Sequence, residues 1–272
     1  MLERVNRPHL EEFFSFGNDL INETRLLVSS LWQKKAVRFE LKADKTPVSE
    51  VDLRCEELVR EKILARFPSH GVAGEELGTH KPDAEFVWTI DPIDGTQNLI
   101  NRIPTFGTIL ALQHHGKPLL GWIDHPILGE TLRGGPETGT FHNDKPVRIT
   151  DLESPVLSPN DVIGINNPST FEHGGHLPVL WKVLKFHPHI RMYYDVYSHS
   201  LAILGSLAAH VEYNLKVWDY AASQALVEGA GGVYKELGRD SEPGKPELYH
   251  AVFGKRRAVE TIAGAILEMR NE

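Results

Sequence analysis

The chain has 272 residues, 41% hydrophobic and 24% charged, enough apolar material for a sizeable core in one large or two modest domains. Its formal net charge of -8 argues against a general nucleic-acid binder or a membrane-surface binder, since both of those partners are polyanionic. A phosphorylated ligand remains open, because a bound metal inverts the local sign of a site.

The N-terminus, Met1-Leu2-Glu3-Arg4, lacks the basic-then-apolar layout of a signal peptide, and no stretch approaches about 18 uninterrupted apolar residues. The expectation is a soluble, cytoplasmic protein. From about Leu10 to Trp32, apolar residues recur at helical spacing: Phe13, Phe14, Leu20, Ile21, Leu27, Val28 and Leu31. The polar stretch Ala36 to Val51 reads as extended or looped, and Ser49 and Asp52 then have capping-box spacing. The helix they open carries Leu53, Leu58, Val59, Ile63 and Leu64 and stops at Pro68. On it lies Cys55, the chain's single cysteine, which excludes an internal disulfide and a thiolate zinc cage and reads as a packed thiol.

Gly71 to Gly78 forms a short strand and turn, and Phe86–Ile90 is a buried strand that ends at Asp91-Pro92. Glycines and prolines then separate three strand candidates, Gly107–Leu112, Pro118–Asp124 and Glu130–Arg133, as in an antiparallel meander. Asn143-Asp144-Lys145-Pro146 marks a turn. Near residue 155 the texture changes from α+β to α/β, dividing the chain into 1–154 and 155–272. The second part alternates Val162–Ile165 (strand), Leu177–Lys185 and Ser198–Leu204 (helices), and Ala209–Tyr213 (strand). A helix over Tyr220–Glu228, a strand at Gly232–Lys235, a polar loop at Arg239–Pro246 and a helix over Val259–Met269 follow.

Three acidic motifs stand out, each with an ordinary reading. Glu75-Glu76 suits a solvated surface. Asp91-Pro92-Ile93-Asp94-Gly95-Thr96 suits a loop after a strand, and Asp219 suits a helix cap. The second motif resists that reading, because it sits at the end of a buried apolar strand, where α/β sheets place ligands. Gly95 permits close backbone approach, and a helix opening at Thr96 would turn amide groups toward an anion. Together the motifs supply carboxylates and a backbone carbonyl at Ile93, the hard oxygen ligands magnesium prefers. A cation so held polarises a phosphoryl oxygen and acidifies water, as hydrolysis of a phosphate monoester requires.

In order and spacing, Gly74-Glu75-Glu76, Asp91-Pro92-Ile93-Asp94-Gly95-Thr96 and Trp218-Asp219-Tyr220-Ala221-Ala222 resemble the signatures of the inositol monophosphatase family, which includes histidinol-phosphate phosphatases. The resemblance runs from about Lys42 to Val233. It implies an α/β fold, a five-layer αβαβα sandwich, and Mg2+ held by Glu75, Asp91, the Ile93 carbonyl, Asp94 and Asp219. It further implies that Glu76 and Thr96 orient and deprotonate the attacking water with Asp52 behind them, and that the Gly95 and Thr96 amides cradle the phosphate. A homodimer is the usual family state. The stretches around Asp195, Glu212 and Gly121–Leu128 look more like the histidinol-phosphate branch, so Asp195 and Glu212 would face the alcohol. Histidinol phosphate and inositol monophosphate are the leading substrates, with fructose 1,6-bisphosphate or adenosine 3′,5′-bisphosphate behind them. Ala208, where many relatives carry aspartate, and Asp144, after Asn143, depart from the pattern outside the metal cluster.

Two rival readings compete with this one. A haloacid-dehalogenase phosphatase needs its two aspartates two residues apart, whereas Asp91 and Asp94 are three apart. A non-catalytic metal binder would draw on the 14 histidines, notably His114-His115, His173 with His176, and His187 with His189, but solvated loop histidines account for these more simply.

Overall fold

The computed structural model describes residues 5–33, 38–42, 46–150 and 157–269, with the His173 side chain left out. The expected change of texture near residue 155, and parts of the Ala36–Val51 stretch, lie outside these residues.

Helix α1 (Arg7–Trp32) starts where the Asn6 side chain accepts the His9 N–H at 3.1 Å, with a proline in the first turn. Strands β1 (Phe39–Leu41) and β2 (Pro47–Ser49) form a small hairpin. Helix α2 (Glu50–Arg66) opens with the expected capping box: the Ser49 N–H donates to Asp52 Oδ2 at 2.8 Å, and the Val51 N–H to Ser49 Oγ at 3.1 Å. Its buried stripe differs from the expected one. Leu53 is exposed, and Val51, Asp52, Cys55, Glu56, Val59 and Ile63 face inward. Two acids therefore occupy core positions.

Strands β3 (Gly71–Gly74), β4 (Gly78–His80), β5 (Phe86–Asp94), β6 (Gly107–His114), β7 (Lys117–His125), β8 (Glu130–Gly135), β9 (Gly139–His142) and β10 (Lys145–Val147) form one sheet in the order β10-β9-β8-β7-β6-β5-β3-β4. The meander β5 to β10 is antiparallel, as its turn residues predict. The short helix α3 (Thr96–Ile100) follows β5.

The second half contains β11 (Ile163–Ile165), α4 (Pro168–Glu172), a 3-10 turn, α5 (Leu177–Phe186), β12 (Ile190–Arg191), α6 (Asp195–Ile203), β13 (Ala209–Leu215), α7 (Val217–Gly229), β14 (Val233–Asp240), β15 (Leu248–Gly254) and α8 (Arg256–Met269). The sheet order is β12-β11-β13-β15-β14. Here β14 extends through Arg239 and Asp240, which the sequence reading assigned to a loop, and β15 was not anticipated. Strand β14 is half polar, so its hydrophobic signal is weak, whereas β15 is a mostly apolar run with His250 as its one strongly polar residue.

Five layers result. Helices α1 and α2 cover one face of the large sheet, α6 and α7 lie between the sheets, and α4, α5 and α8 cover the outer face of the second sheet. Each interface has its own apolar cluster, and the middle one joins Ile109, Ile123 and Leu132 of the first sheet to Leu226 of α7 and Phe253 of the second sheet. Gly17 of α1 lets the helix close on Trp122, since a Cβ there would lie 2.2 Å from the indole. Among the described residues no helix is long and apolar enough to cross a membrane.

Candidate active site

Strand β5 is buried along most of its length and carries a register shift against β6: Asp91 pairs with Ile109, but Asp94 pairs with Gly107. Three steps on one strand oppose two on the other, which is a β-bulge, a device that re-aims side chains at sheet rims. The Pro92 carbonyl accepts from Thr108 Oγ1 at 2.8 Å and fixes the bulge. The bulge presents the Asp91 and Asp94 side chains to one acidic cluster, with the Ile93 carbonyl between them. Gly95, with φ 92°, then turns the chain into α3; a Cβ there would lie 3.1 Å from Asp195 Oδ2.

Glu75 and Glu76 occupy the turn between β3 and β4, where the Glu75 N–H donates to the Ile90 carbonyl at 3.2 Å. The turn is held from beneath by Glu56, which sequence reading missed. Its carboxylate accepts the N–H groups of Glu76 (2.8 Å) and Leu77 (3.0 Å) and pairs with Arg60 at 2.8 Å. An acid one turn after Asp52 on an otherwise apolar stripe was the available signal. Lys42, also missed, donates to Glu75 Oε1 at 2.9 Å and Glu76 Oε1 at 2.7 Å. Only tertiary structure brings it there.

The Thr96 hydroxyl lies 3.2 Å from Asp52 Oδ1 and 3.1 Å from the Ile93 carbonyl. Asp219 lies within the first turn of α7 and accepts the Lys216 N–H at 2.7 Å. It thus caps the helix and also belongs to the acidic cluster. Asp195 opens α6 and accepts from Asn98 Nδ2 at 3.3 Å. Glu212, on β13, is only 5% exposed. Its Oε1 accepts from Asn166 Nδ2, and its Oε2 from His199 Nε2 (2.5 Å) and His210 Nε2 (2.9 Å).

Burial dominates the electrostatics, and like charges add to it. Asp91 and Asp94 are pushed well above the usual carboxylate range by burial, then by Glu75 for Asp91 and by Asp195 for Asp94. Burial raises Asp219 to about 7 against the pull of Lys216, Glu76 to about 7 against Lys42, and Asp52 to about 6 against its bonds to Ser49. Glu212 is the exception. Burial would raise it, but the two imidazoles hold it below the usual range.

The residues fit a hard divalent cation. Asp91 Oδ1 is buried and has no hydrogen-bond partner among the described residues, a costly state for a carboxylate oxygen that a cation relieves. The candidate ligands are all carboxylate or carbonyl oxygens, the hard donors such a cation prefers. Among the described residues three other groups bring ligand atoms within 4.8 Å of one another, Glu85–His114–His115, His176–Asp240–His250 and His199–His210–Glu212; the acidic cluster is not one of these compact groups.

The histidines weighed as a zinc site have other partners. His176 Nε2 lies 2.8 Å from Asp240 Oδ2, and His187 Nε2 contacts the Ser158 carbonyl at 3.2 Å. His250 Nδ1 accepts the Asn214 N–H at 3.2 Å, which leaves its proton on Nε2, 3.3 Å from Asp240. Both histidines thus turn Nε2 toward the same Asp240 carboxylate. Ala208 is buried, and Asp144 pairs with Arg133 at 2.7 Å on the surface.

The sequence profile of the inositol monophosphatase family matches residues 9–266. A histidinol-phosphatase from Chlorobaculum parvum is 32% identical over 79% of this chain and 82% of its own length. A fructose-1,6-bisphosphatase/inositol-1-monophosphatase from Aquifex aeolicus is 30% identical over 79% of this chain and 81% of its own. The crystal structure of the extragenic suppressor protein suhB from Bartonella henselae superposes with a TM-score of 0.81 at 24% identity, covering 94% of this chain and 98% of that one, and so shares the αβαβα fold.

Proposed function

This chain belongs to the inositol monophosphatase family of metal-dependent phosphatases, and on that footing we propose that it uses magnesium to hydrolyse a small phosphorylated alcohol, histidinol phosphate foremost. Glu75, Asp91, the Ile93 carbonyl, Asp94 and Asp219 would hold the ion. The observation that carries this reading is the buried Asp91 Oδ1, which stands among carboxylates with no hydrogen-bond partner in the described residues. Bound there, magnesium supplies charge stabilisation at the phosphoryl oxygens and lowers the pKa of water.

The chain's own groups do the rest. Glu76 takes the proton of the attacking water, and the Thr96 hydroxyl, oriented by Asp52, holds that water in line with the scissile bond. The amides of Gly95 and Thr96 receive phosphate oxygens. Asp195 faces the alcohol half with Glu212 behind it, a negative wall that suits the amine and imidazole of histidinol. Inositol monophosphate is the second reading, since Asp195 accepts hydroxyl donors equally well and the Aquifex relative carries that activity in its name. A cytoplasmic homodimer completes the proposal.

The test compares kcat/KM for histidinol phosphate, inositol 1-phosphate, fructose 1,6-bisphosphate and adenosine 3′,5′-bisphosphate with magnesium, and repeats it after EDTA. Histidinol phosphate is expected to lead by about tenfold or more, a margin equivalent to about 1.4 kcal/mol, and EDTA to abolish turnover. Undiminished turnover in EDTA would sink the metal assignment, and a lead for inositol 1-phosphate would install the second reading.

A further inference from the structure

Tyr194 and Asp195 both have positive φ, 57° and 51°. Tyr194 combines it with ψ 146°, a backbone region that residues other than glycine rarely occupy. Such a conformation persists only where neighbours over-determine it, and it clusters at functional sites. One neighbour is Asn166, buried directly after β11. Its Oδ1 accepts the N–H of Asp195 at 3.4 Å and that of Asn167 at 2.8 Å, while its Nδ2 donates to Glu212 Oε1.

Glu212 is itself anchored. It already accepts three hydrogen bonds from protein, and one donor, His199, continues the chain by accepting from Ser223 Oγ at Nδ1, 2.7 Å away. His199 lies one turn after Asp195 on α6, and Ser223 one turn after Asp219 on α7. The network therefore ties the helix bearing Asp195 to the helix bearing Asp219, and commits Glu212 to the interior.

We propose that Asn166 is a positioning residue for substrate selection: it holds the Tyr194–Asp195 turn so that the Asp195 carboxylate faces the alcohol half, and Glu212 anchors Asn166. This rests on the reading above that Asp195 meets the alcohol. It goes beyond that reading by naming an amide that sets specificity from behind.

The experiment uses the full chain with magnesium and two esters, histidinol phosphate and para-nitrophenyl phosphate, whose aryl half offers Asp195 no hydrogen-bond donor. Asn166→Ala, and Asn166→Asp of the same size, should raise KM for histidinol phosphate about tenfold, the scale of one lost charge-assisted hydrogen bond. For both variants kcat should stay within about twofold, and para-nitrophenyl phosphate kinetics should be unchanged. Asp195→Asn should raise KM for histidinol phosphate at least as much, and the double variant should be no worse than Asp195→Asn alone, as coupled residues behave. Amide exchange at Asp195 should accelerate in Asn166→Ala. Equal losses on both esters, additive losses in the double variant, or unaltered exchange would each overturn the proposal. If Asp195→Asn leaves KM for histidinol phosphate unchanged, the substrate reading itself fails, and the exchange rate still decides whether Asn166 holds the turn.

Discussion

Asp219→Asn separates what the acidic cluster does for stability from what it does for chemistry. The Asp219 carboxyl is pushed from an ordinary 3.8 up to about 7, first by burial and then by Glu75 and Glu212, with Lys216 opposing. A group whose folded pKa is raised holds its proton more tightly folded than unfolded. Below about pH 4 both states are protonated and there is no penalty. Between about pH 4 and 7 the unfolded chain releases the proton while the folded chain keeps it, so stability falls as pH rises. Above about pH 7 the full penalty stands, roughly three pKa steps at 1.36 kcal/mol each, or about 4 kcal/mol.

Asparagine keeps an oxygen for the Lys216 N–H and loses the charge, along with its attraction to the Lys216 ammonium. In EDTA at about pH 8 the variant should therefore be more stable than the parent by about 2–4 kcal/mol, or roughly 5–10 °C in Tm for a chain of this size. The advantage should shrink as pH falls from about 7 and vanish below about pH 4. Added magnesium should raise the Tm of the parent by mass action and leave the variant's unmoved, and hydrolysis should be lost. Thermal unfolding across pH, with and without magnesium, reads all of this. A variant less stable than the parent at about pH 8 in EDTA, or an advantage independent of pH, would refute the burial argument.

Asp94→Asn should abolish magnesium-dependent hydrolysis while the circular dichroism spectrum and cooperative unfolding persist; retained full activity would remove Asp94 from the metal site. Gly17→Ala should destabilise by about 1–3 kcal/mol despite its better helix propensity, because its Cβ would overlap the Trp122 ring, and denaturant titration should show the midpoint fall with kcat unchanged.

Sequence patterning reached far here. The α1 stripe, the Ser49–Asp52 capping box, the meander and the two acids at the end of β5 were all legible, because each is a local pattern with its own period or spacing. The inward face of α2 misled, since Asp52 and Glu56 point toward the core and Leu53 points out; their hydrogen-bond partners come from the turn after β3 and from α3, which helical period does not encode. The length of β14 was hidden because a half-polar strand leaves little hydrophobic signature, whereas the apolar run of β15 was legible and went unassigned.

By itself the sequence determined the family signature, the layered fold it implies and which carboxylates stand at the ends of their elements. Tertiary structure decided what those carboxylates meet. Burial and mutual repulsion act through distances that only packing sets, and so do the support of Glu56 beneath Glu75-Glu76 and the reach of Lys42. The same holds for the two acids expected to face the alcohol: Asp195 stands over Gly95 on a strained turn, whereas Glu212 is enclosed by two imidazoles and an amide drawn from three separate elements.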